Sequence, residues 1–283
     1  MACPFETQVP LAKHCTLHVG PLVPRLYFPE DTAQVQELMR VQAARFWIGN
    51  GSNVLFLPAL ANEHMVKLGK NLSQHHFSGS SLWAQAGAML PRLLNEACER
   101  GLSGLEMCTG VPASVGGAVA MNFGAYQQEL SQFVTTVTAV DPSGAVQTLT
   151  REQCQFSYRS SIFQRGAWCV TEVVFELVPT ESARVAAAIE ANQLRRKKIT
   201  PPYPNTGSVF KNPPGQVTGR IIEELGLRAY RVGDAAVWKD HGNYLVNLGA
   251  ASPQDCLAVI EHVEREVLDQ RGIKLEREIR VLG

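Results

Sequence analysis

One stretch without a charged side chain, from Met107 to Gln128, constrains this chain more than any other segment. It contains Pro112 and several glycines, which a membrane-spanning helix of about 20 residues does not readily tolerate. Small residues of this kind let the backbone approach a ligand or another segment closely. The stretch therefore predicts a tight loop region rather than a transmembrane helix.

The composition indicates a globular chain with about two domains. The chain has 283 residues, of which 45% are hydrophobic and 18% are charged, so it can bury a substantial core. Its 26 basic and 26 acidic residues give a formal net charge of zero, which excludes a global field that would attract nucleic acid or an anionic membrane. We therefore expect any anionic ligand to be held by local groups.

The cysteines and histidines indicate neither a metal centre nor a disulfide framework. The seven cysteines are scattered and never form a Cys-x-x-Cys arrangement. The seven histidines form neither a His-x-x-x-His nor a His-Glu-x-x-His pattern, and His75-His76 alone is a weak signal. The N-terminus lacks a basic start followed by an apolar core. We therefore expect no metal, no secretory signal and a cytoplasmic location.

Apolar periodicity and capping residues predict a mixed α+β chain. One predicted helix follows Asp31, and the others cover residues 90–100, 181–198, 217–225 and 253–271. The predicted strands lie on both sides of residues 49–53, on both sides of the turn 141–144, and over 167–179, 243–248 and 274–282. Because the character of the sequence changes near Pro179, we predict two α+β units that meet near residue 180.

The segment Gly49-Asn50-Gly51-Ser52-Asn53 lies between two apolar runs. Backbone N–H groups in such a turn can form a concave nest for a phosphate, and Ser52 and Asn53 can add side-chain donors. The segment fails the Rossmann fingerprint, because Val54 replaces the third glycine and a strand follows. Taken alone, it leaves two interpretations open, a phosphate-binding loop and an ordinary hairpin turn.

A second segment of small residues runs from Thr109 to Ala118 and precedes Met121-Asn122 and Gly124-Ala125-Tyr126. With few bulky side chains, its backbone can lie against a flat ligand or a pyrophosphate. Together with the first loop, it suggests a dinucleotide between two small α/β lobes. The alternative is the close packing of a buried turn against a strand.

Four residues outside the glycine-rich segments offer a charge or a proton. Arg159 supplies a permanently charged fork and Ser208 a hydroxyl proton. Lys211 supplies an ammonium group and Glu278 a carboxylate. Such groups could stabilise and protonate an enolate. Each also has an ordinary interpretation on its own, as a surface pair, a turn residue or a solvated edge strand.

In order and spacing, these segments resemble the bacterial UDP-N-acetylenolpyruvoylglucosamine reductases, flavoenzymes also called UDP-N-acetylmuramate dehydrogenases. The resemblance runs from about residue 10 to the end of the chain, and the ordered set of motifs makes it specific. The matching segments are Gly49–Leu55, Gly104-Leu105-Glu106, Gly110-Val111-Pro112 with Ser114–Ala118, Met121-Asn122, Gly124–Tyr126, Tyr158-Arg159 with Ser161, Gly207–Lys211 and Leu275–Arg280.

The resemblance implies an α+β fold with a two-lobed FAD-binding domain of the vanillyl-alcohol-oxidase type over residues 1–179, its lobes meeting near residue 75. A smaller α+β substrate-binding domain would follow over residues 180–283. The chain resembles the short form of the family. FAD would be bound without a covalent link, and NADPH would be the hydride donor. The substrate would be UDP-N-acetylglucosamine enolpyruvate, reduced to UDP-N-acetylmuramate during peptidoglycan precursor synthesis.

The same resemblance implies roles for individual residues. A hydride would pass from flavin N5 to C3 of the enolpyruvyl group, and Ser208 would donate a proton to C2. Arg159 and Glu278 would stabilise the enolic intermediate. The residues expected at FAD are Gly49, Asn50, Gly51, Ser52, Asn53, Gly110, Val111, Pro112, Ser114, Val115 and Gly117. The residues expected at the substrate are Tyr158, Arg195, Lys198, Lys211 and Asn212.

The chain also departs from the family pattern in several loops. Pro21 follows Gly20 where the family usually has a second glycine, and Ala113, Gln127-Gln128 and Asp234 stand at frequent glycine positions. Two alternatives to the reductase remain open. An FAD-dependent oxidase of a sugar or aryl alcohol would explain the flavin loops but not Ser208, Arg159 and Glu278. A flavin-binding protein without activity would be expected to lack one of those three residues.

Overall fold

The computed structural model describes residues 3–283, and contacts between Cα atoms divide the chain into two compact units. Unit 1 comprises the N-terminal segment up to Thr7 together with Arg25–Asn50 and His64–Arg196. Unit 2 comprises Gln8–Pro24, Gly51–Glu63 and Lys197–Gly283. Each unit is therefore assembled from separate stretches of the sequence.

The described residues form both helices and strands. The α-helices are α1 (Thr32–Arg40), α2 (Leu90–Glu99), α3 (Val115–Ala120), α4 (Ile162–Arg165), α5 (Ser182–Lys197), α6 (Thr218–Glu224) and α7 (Pro253–Arg271). The strands are β1 (Phe5–Pro10), β2 (Leu22–Tyr27), β3 (Phe46–Ile48), β4 (Val54–Phe56), β5 (His64–Lys67), β6 (His75–Ser78), β7 (Ser81–Gln85), β8 (Leu102–Ser103), β9 (Gly124–Ala125), β10 (Gln128–Glu129), β11 (Val134–Val140), β12 (Val146–Thr150), β13 (Cys169–Glu176), β14 (Val178–Pro179), β15 (Asn205–Ser208), β16 (Arg231–Val232), β17 (Ala235–Val237), β18 (Tyr244–Asn247) and β19 (Arg280–Leu282). Short 3-10 helices cover Leu11–His14, Pro58–Asn62, Lys70–Leu72, Glu106–Cys108 and Leu130–Gln132.

The core of unit 1 lies on an antiparallel sheet with the strand order β12-β11-β13-β7-β6. β11 and β12 form the predicted hairpin, and the carboxylate of Asp141 accepts hydrogen bonds from the backbone N–H groups of Ser143 and Ala145 in the turn. α2 buries Leu90 and Leu93 in the same cluster as Phe175 of β13. This core supports the loops that precede and follow α3.

A smaller parallel arrangement in unit 1 supports the first glycine-rich loop. Both β2 and β3 pair in parallel with β5. Helix α1 begins where the sequence predicts it, because the side chain of Asp31 accepts a hydrogen bond from the N–H of Gln34. Parallel pairing places the loop after β3 at the carboxyl edge of these strands.

Unit 2 is built on the antiparallel order β15-β18-β17-β16, with α7 packed against it. α7 has a capping box between Ser252 and Asp255, has Pro253 in its first turn, and ends at Gly272 in the left-handed region with φ of 64°. Its buried side chains are Cys256, Val259, Ile260, Val263 and Val267. Near this sheet, β4 and β19 pair in parallel.

Three expectations from the sequence need correction. Residues 49–53 are not a hairpin turn, because β3 pairs with β5 whereas β4 pairs with β19. The strand expected over 274–282 is confined to β19, and Phe210 and Arg277 form an isolated bridge ahead of it. Apolar spacing over residues 253–271 predicts a buried side chain at Leu268. This residue is 48% exposed, because the buried stripe of α7 includes Cys256 and Val259 instead.

The compact units are interleaved in sequence, whereas the boundary expected near residue 180 divides the chain once. The pairing of β4 with β19 places residues 54–56 in unit 2. The last change from unit 1 to unit 2 along the sequence falls between Arg196 and Lys197. The domain boundaries at residues 75 and 180 therefore stay predictions. Among residues 3–283, no helix combines the length and apolar character that a membrane span requires.

Candidate active site

A cavity of about 280 Å³ lies in unit 1 beside the first glycine-rich loop. Asn50 and Ser114 line it together with three cationic side chains, Lys67, Lys70 and Arg92. Its volume is near the lower end of the range for small-molecule sites. Because its charged lining is cationic, the cavity can admit an anionic fragment of a larger ligand.

Ser114 and Gly49 form a close contact at this cavity. The Oγ atom of Ser114 is buried and has no hydrogen-bond partner within residues 3–283. A Cβ atom added at Gly49 would lie 2.3 Å from that oxygen, so residue 49 cannot carry a side chain without displacing Ser114. A buried hydroxyl without a partner costs about 1–3 kcal/mol. A ligand that hydrogen-bonds Ser114 would therefore be favoured, which fits a dinucleotide such as FAD.

The first and second glycine-rich segments are joined in unit 1. The side-chain amide of Asn50 donates a hydrogen bond to the carbonyl of Pro112 at 2.7 Å. Val115 is fully buried and opens α3, while the backbone nitrogen of Gly117 lies 3.6 Å from a Cβ placed on Gly49. Residues from both segments therefore line the same region.

Close packing also explains part of the second segment. A Cβ atom added at Gly116 would lie 2.7 Å from the Cβ atom of Ala86. Gly116 thus brings α3 against the backbone that follows β7. The close-packing interpretation of the small-residue run therefore holds at Gly116, and contact of the run with a ligand stays a prediction.

Arg196 is a candidate residue that sequence reasoning missed. A Cβ atom added at Gly110 would lie 3.0 Å from Nε of Arg196, so this guanidinium group rests on the backbone of the second glycine-rich segment. Val111, which follows Gly110, is 8% exposed. The run Arg195–Lys198 gives no local signal for which of its cations faces this segment.

Tyr158 and Arg159 form the tip of a tight turn in unit 1. Ser157 and Ser160 exchange both backbone hydrogen bonds across it, each 3.0 Å long. Arg159 has φ of 54°, a conformation that costs a non-glycine residue about 1–2 kcal/mol. Its Nη2 atom donates to the carbonyl of Gly124 at 2.6 Å, and its guanidinium carbon lies 5.1 Å from the ring centroid of Tyr158. These contacts hold the charge in one orientation.

The side chain of Asn122 supports the turn that carries Arg159. It is fully buried, and its amide nitrogen donates to the carboxylate of Glu129 at 2.8 Å and to the carbonyl of Ser157 at 3.0 Å. Its amide oxygen accepts a hydrogen bond from the N–H of Ser131 at 3.1 Å. Three segments are therefore connected through one side chain.

Tyr126 and Gln127 form a second strained turn, between β9 and β10. Their φ angles are 55° and 65°, the combination of a type I′ turn, in which glycine or asparagine is usual. Gln127 is one of the departures from the family pattern, and in this turn glutamine has a higher conformational cost than glycine. The guanidinium carbon of Arg195 lies 5.6 Å from the ring centroid of Tyr126.

In unit 2, Ser208 and Glu278 lie on neighbouring backbone segments. Ser208 ends β15, and the carbonyl of the next residue, Val209, accepts the N–H of Glu278 at 2.8 Å. The N–H of Lys211 donates to the carbonyl of Glu276 at 2.8 Å. The backbone therefore brings together two of the three predicted catalytic residues.

The second half of the first glycine-rich loop also belongs to unit 2. Gly51 has φ of 71°, and a Cβ atom there would lie 2.1 Å from the carbonyl oxygen of His14. The side-chain amide of Asn53 donates to the carbonyl of Glu278 at 2.9 Å. Ser52, which lies between Gly51 and Asn53 in the sequence, is partly exposed. One hydrogen of the Asn53 amide therefore positions Glu278, a role that the sequence does not indicate.

The remaining predicted substrate residues lie in different surroundings. The ammonium group of Lys211 forms an ion pair with Glu276. The side-chain oxygen of Asn212 accepts the N–H of Thr218 at 3.0 Å, which ties the segment to the start of α6. Lys198 is exposed and directly follows α5. Lys211 and Asn212 are thus part of the Ser208 segment.

Two buried cysteines, Cys108 and Cys154, do not add a nucleophile to either set of residues. Burial, reinforced by the charge of Glu106, raises the pKa of Cys108 to about 12, and burial raises the pKa of Cys154 to about 11. Both thiols are therefore protonated at neutral pH. Within residues 3–283, the side chains of His, Cys, Asp and Glu form no group of three or more that could hold a metal ion.

Comparison with protein families accounts for both parts of the chain. The FAD binding domain family matches residues 24–150. The family described as UDP-N-acetylenolpyruvoylglucosamine reductase, C-terminal domain, matches residues 198–282. The predicted α+β fold, with an FAD-binding part followed by a second domain, is confirmed, and so is FAD as the cofactor.

Similarity to individual proteins extends over nearly the whole chain. A UDP-N-acetylenolpyruvoylglucosamine reductase from Moorella thermoacetica is 38% identical over 98% of this chain and 93% of the relative, and one from Bacillus subtilis is 34% identical over 97% and 92%. The crystal structure of UDP-N-acetylenolpyruvylglucosamine reductase from Thermus caldophilus has 34% identity and a TM-score of 0.86, with 100% of both chains covered. With this identity and coverage, the chain belongs to the UDP-N-acetylenolpyruvoylglucosamine reductase family, whose members are FAD-dependent oxidoreductases.

Proposed function

We propose that this protein uses NADPH to reduce the enolpyruvyl group of UDP-N-acetylglucosamine enolpyruvate, which gives UDP-N-acetylmuramate. The redox chemistry, in which a hydride is carried from NADPH to C3 of the enolpyruvyl group, belongs to FAD. The observation that supports the proposal best is the backbone pairing that places Ser208 and Glu278 on adjacent segments of unit 2. The polypeptide then has to bind both molecules, stabilise an enolic intermediate and donate one proton.

FAD binding would use the region around Gly49 and Ser114. The absence of a side chain at Gly49 lets Ser114 pack against its backbone, and Ser114 offers a buried hydroxyl group. Asn50 and the cationic side chains of the adjacent cavity suit the negative charge of a pyrophosphate. The other predicted FAD contacts stay predictions, namely Gly51, Ser52 and Asn53 of unit 2 and Gly110, Val111, Pro112, Val115 and Gly117 of unit 1.

Arg159 would stabilise the negative charge that develops on the substrate. Its guanidinium group is always charged and is held by Gly124 and Tyr158 before substrate binds. Preorganised charge of this kind stabilises a transition state without a further cost of reorganisation. Glu278 would supply a second polar group to the same intermediate.

Ser208 would donate the proton to C2. A serine hydroxyl is a weak acid, so it can serve only where the acceptor is a strong base, as a carbanion-like C2 would be. A positioned acid contributes about 10²–10⁴-fold to a rate. Arg195 and Lys198 are proposed to contact the diphosphate or a nearby anionic group, and Tyr158, Lys211 and Asn212 are proposed substrate contacts.

The test is an anaerobic experiment in two steps on the purified wild-type protein. NADPH should bleach the flavin absorbance, and UDP-N-acetylglucosamine enolpyruvate should then restore it, with UDP-N-acetylmuramate identified by mass spectrometry. Bleaching by a sugar or aryl alcohol, with reoxidation by oxygen alone, would contradict the proposal and favour an oxidase.

A further inference from the structure

The strand that carries Ser208 loses its regular partner one residue further on. Ser208 is opposite Tyr244 of β18, and the register between β15 and β18 is already irregular before that pair. On the other edge, the bridge between Phe210 and Arg277 uses the N–H of Glu278 and the N–H of Lys211. The N–H and carbonyl of Phe210 therefore need partners on the β18 side.

The side chain of Asn243 supplies both partners. Its amide oxygen accepts the N–H of Phe210 at 2.9 Å, and its amide nitrogen donates to the carbonyl of Phe210 at 2.8 Å. Its own backbone carbonyl accepts the N–H of Val209 at 2.9 Å. Asn243 is 5% exposed, so water does not readily replace these bonds.

We propose that Asn243 is a positioning residue for Ser208, because its amide takes the place of a neighbouring strand and sets the path of residues 208–211. The inference rests on the proposed role of Ser208 in the reductase reaction. Asn243 does not act on the substrate itself. It holds the two peptide units that follow Ser208, and a small displacement of a reacting group lowers a rate steeply.

The substitution Asn243→Asp separates this role from simple packing. An ionised aspartate keeps the shape and still accepts the N–H of Phe210, but it repels the carbonyl oxygen of Phe210. A protonated aspartic acid can donate to that carbonyl and so restores both bonds. Burial raises the pKa of a carboxyl group, so the defect of this variant should shrink as the pH is lowered.

Asn247→Asp on the same strand is the matched control. Asn247 is 3% exposed, donates to the carbonyl of Leu17 at 3.2 Å and accepts the N–H groups of Gly249 and Ala251. The same substitution there also removes one donated bond and keeps the accepted bonds. It differs in lying at the far end of β18 from Ser208.

The experiment compares wild type and both variants in the anaerobic two-step assay at about pH 8 and pH 6, and measures amide hydrogen exchange over residues 208–212. We expect Asn243→Asp to bleach with NADPH as wild type does. We expect its reoxidation by the enolpyruvyl substrate to be about 10–100-fold slower than that of wild type at pH 8. At pH 6 the difference from wild type should be smaller. Exchange in residues 208–212 should be faster in this variant alone.

Wild-type exchange in residues 208–212 of Asn243→Asp would overturn the inference, as would an equal loss of reoxidation in Asn247→Asp. If the aspartate variant does not fold, Asn243→Ala removes both bonds without adding a charge and is read in the same way. If wild type itself is not reoxidised by the substrate, the proposed function fails, while the exchange data still decide whether Asn243 positions the segment.

Discussion

Arg159 stands at the tip of a tight turn with φ of 54°, whereas Ser208 and Glu278 lie on extended segments that are paired along their backbones. Two backbone hydrogen bonds between Ser157 and Ser160 close the turn, and side chains anchor it, above all that of Asn122. The extended segments depend mainly on main-chain hydrogen bonds, and Asn243 completes them where the pairing ends. We therefore expect substitutions of supporting side chains to have larger effects around Arg159. Loss of main-chain hydrogen bonds should have larger effects around Ser208.

Among the variants around the Arg159 turn, the largest effect is expected from Arg159→Lys, which keeps the positive charge but loses the planar fork. We expect FAD content and bleaching by NADPH to be unchanged, and reoxidation by the enolpyruvyl substrate to fall by about 10²–10³-fold, the size of losing one preorganised donor. Stopped-flow absorbance measures both steps. Arg165→Lys, at the end of α4, is the control, and wild-type reoxidation in the Arg159 variant would contradict a contact with the enolate.

Asn122→Ala tests whether side chains hold the Arg159 turn. The substitution removes three partly buried hydrogen bonds, to Ser157, Ser131 and Glu129, so the free energy of unfolding should fall by about 2–3 kcal/mol. Urea denaturation measures the change. Asn71→Ala, which loses one 3.3 Å bond to the carbonyl of Phe28, should cost less. Equal losses in the two variants would remove the special role of Asn122.

A smaller effect is expected from pH, which should change stability through His241 in the region around Ser208. Burial, followed by the charge of Arg228, lowers the pKa of His241, whose ordinary value is 6.5, and its ring packs edge-on against Tyr244, the partner of Ser208. The unfolded chain therefore binds a proton that the folded chain does not, and stability falls as the pH falls through that value.

Thermal unfolding at about pH 7.5 and pH 5.5 measures this effect. His241→Gln should reduce the loss of melting temperature on acidification. An unchanged loss would show that the pH dependence arises elsewhere.

Gln127→Gly should have the smallest effect and the opposite sign. The substitution removes the cost of a left-handed glutamine, about 1–2 kcal/mol, and adds the entropy cost of glycine, about 0.5–1 kcal/mol. We therefore expect a net gain of about 0.5–1 kcal/mol in urea denaturation. Gln128→Gly, in the adjacent strand, should lower stability. A loss at residue 127 would show that its φ of 65° is supported by contacts other than the turn.

Local signals predict the elements that local interactions form. Asp31 caps α1, Ser252 begins α7, and the turn after Asp141 joins β11 to β12, all as the sequence indicates. The pairing of β4 with β19 was not predictable in this way, because its partners lie more than 200 residues apart and share no local pattern.

The same distinction between local signals and contacts of distant residues applies to the candidate site. Arg159, Ser208 and Glu278 were found through the family resemblance, but their supports were not. The bond from Asn53 to Glu278, the contact of Arg196 with Gly110 and the amide of Asn243 all join residues distant in sequence. No periodicity or capping rule connects such residues, so only the tertiary structure shows them.

The most direct test of the central claim is the anaerobic reoxidation of Ser208→Ala after reduction by NADPH. The account predicts normal bleaching by NADPH, followed by reoxidation with UDP-N-acetylglucosamine enolpyruvate that is about 10²–10⁴-fold slower than in wild type. Reoxidation at the wild-type rate, or loss of bleaching by NADPH, would contradict the role of Ser208 as the proton donor.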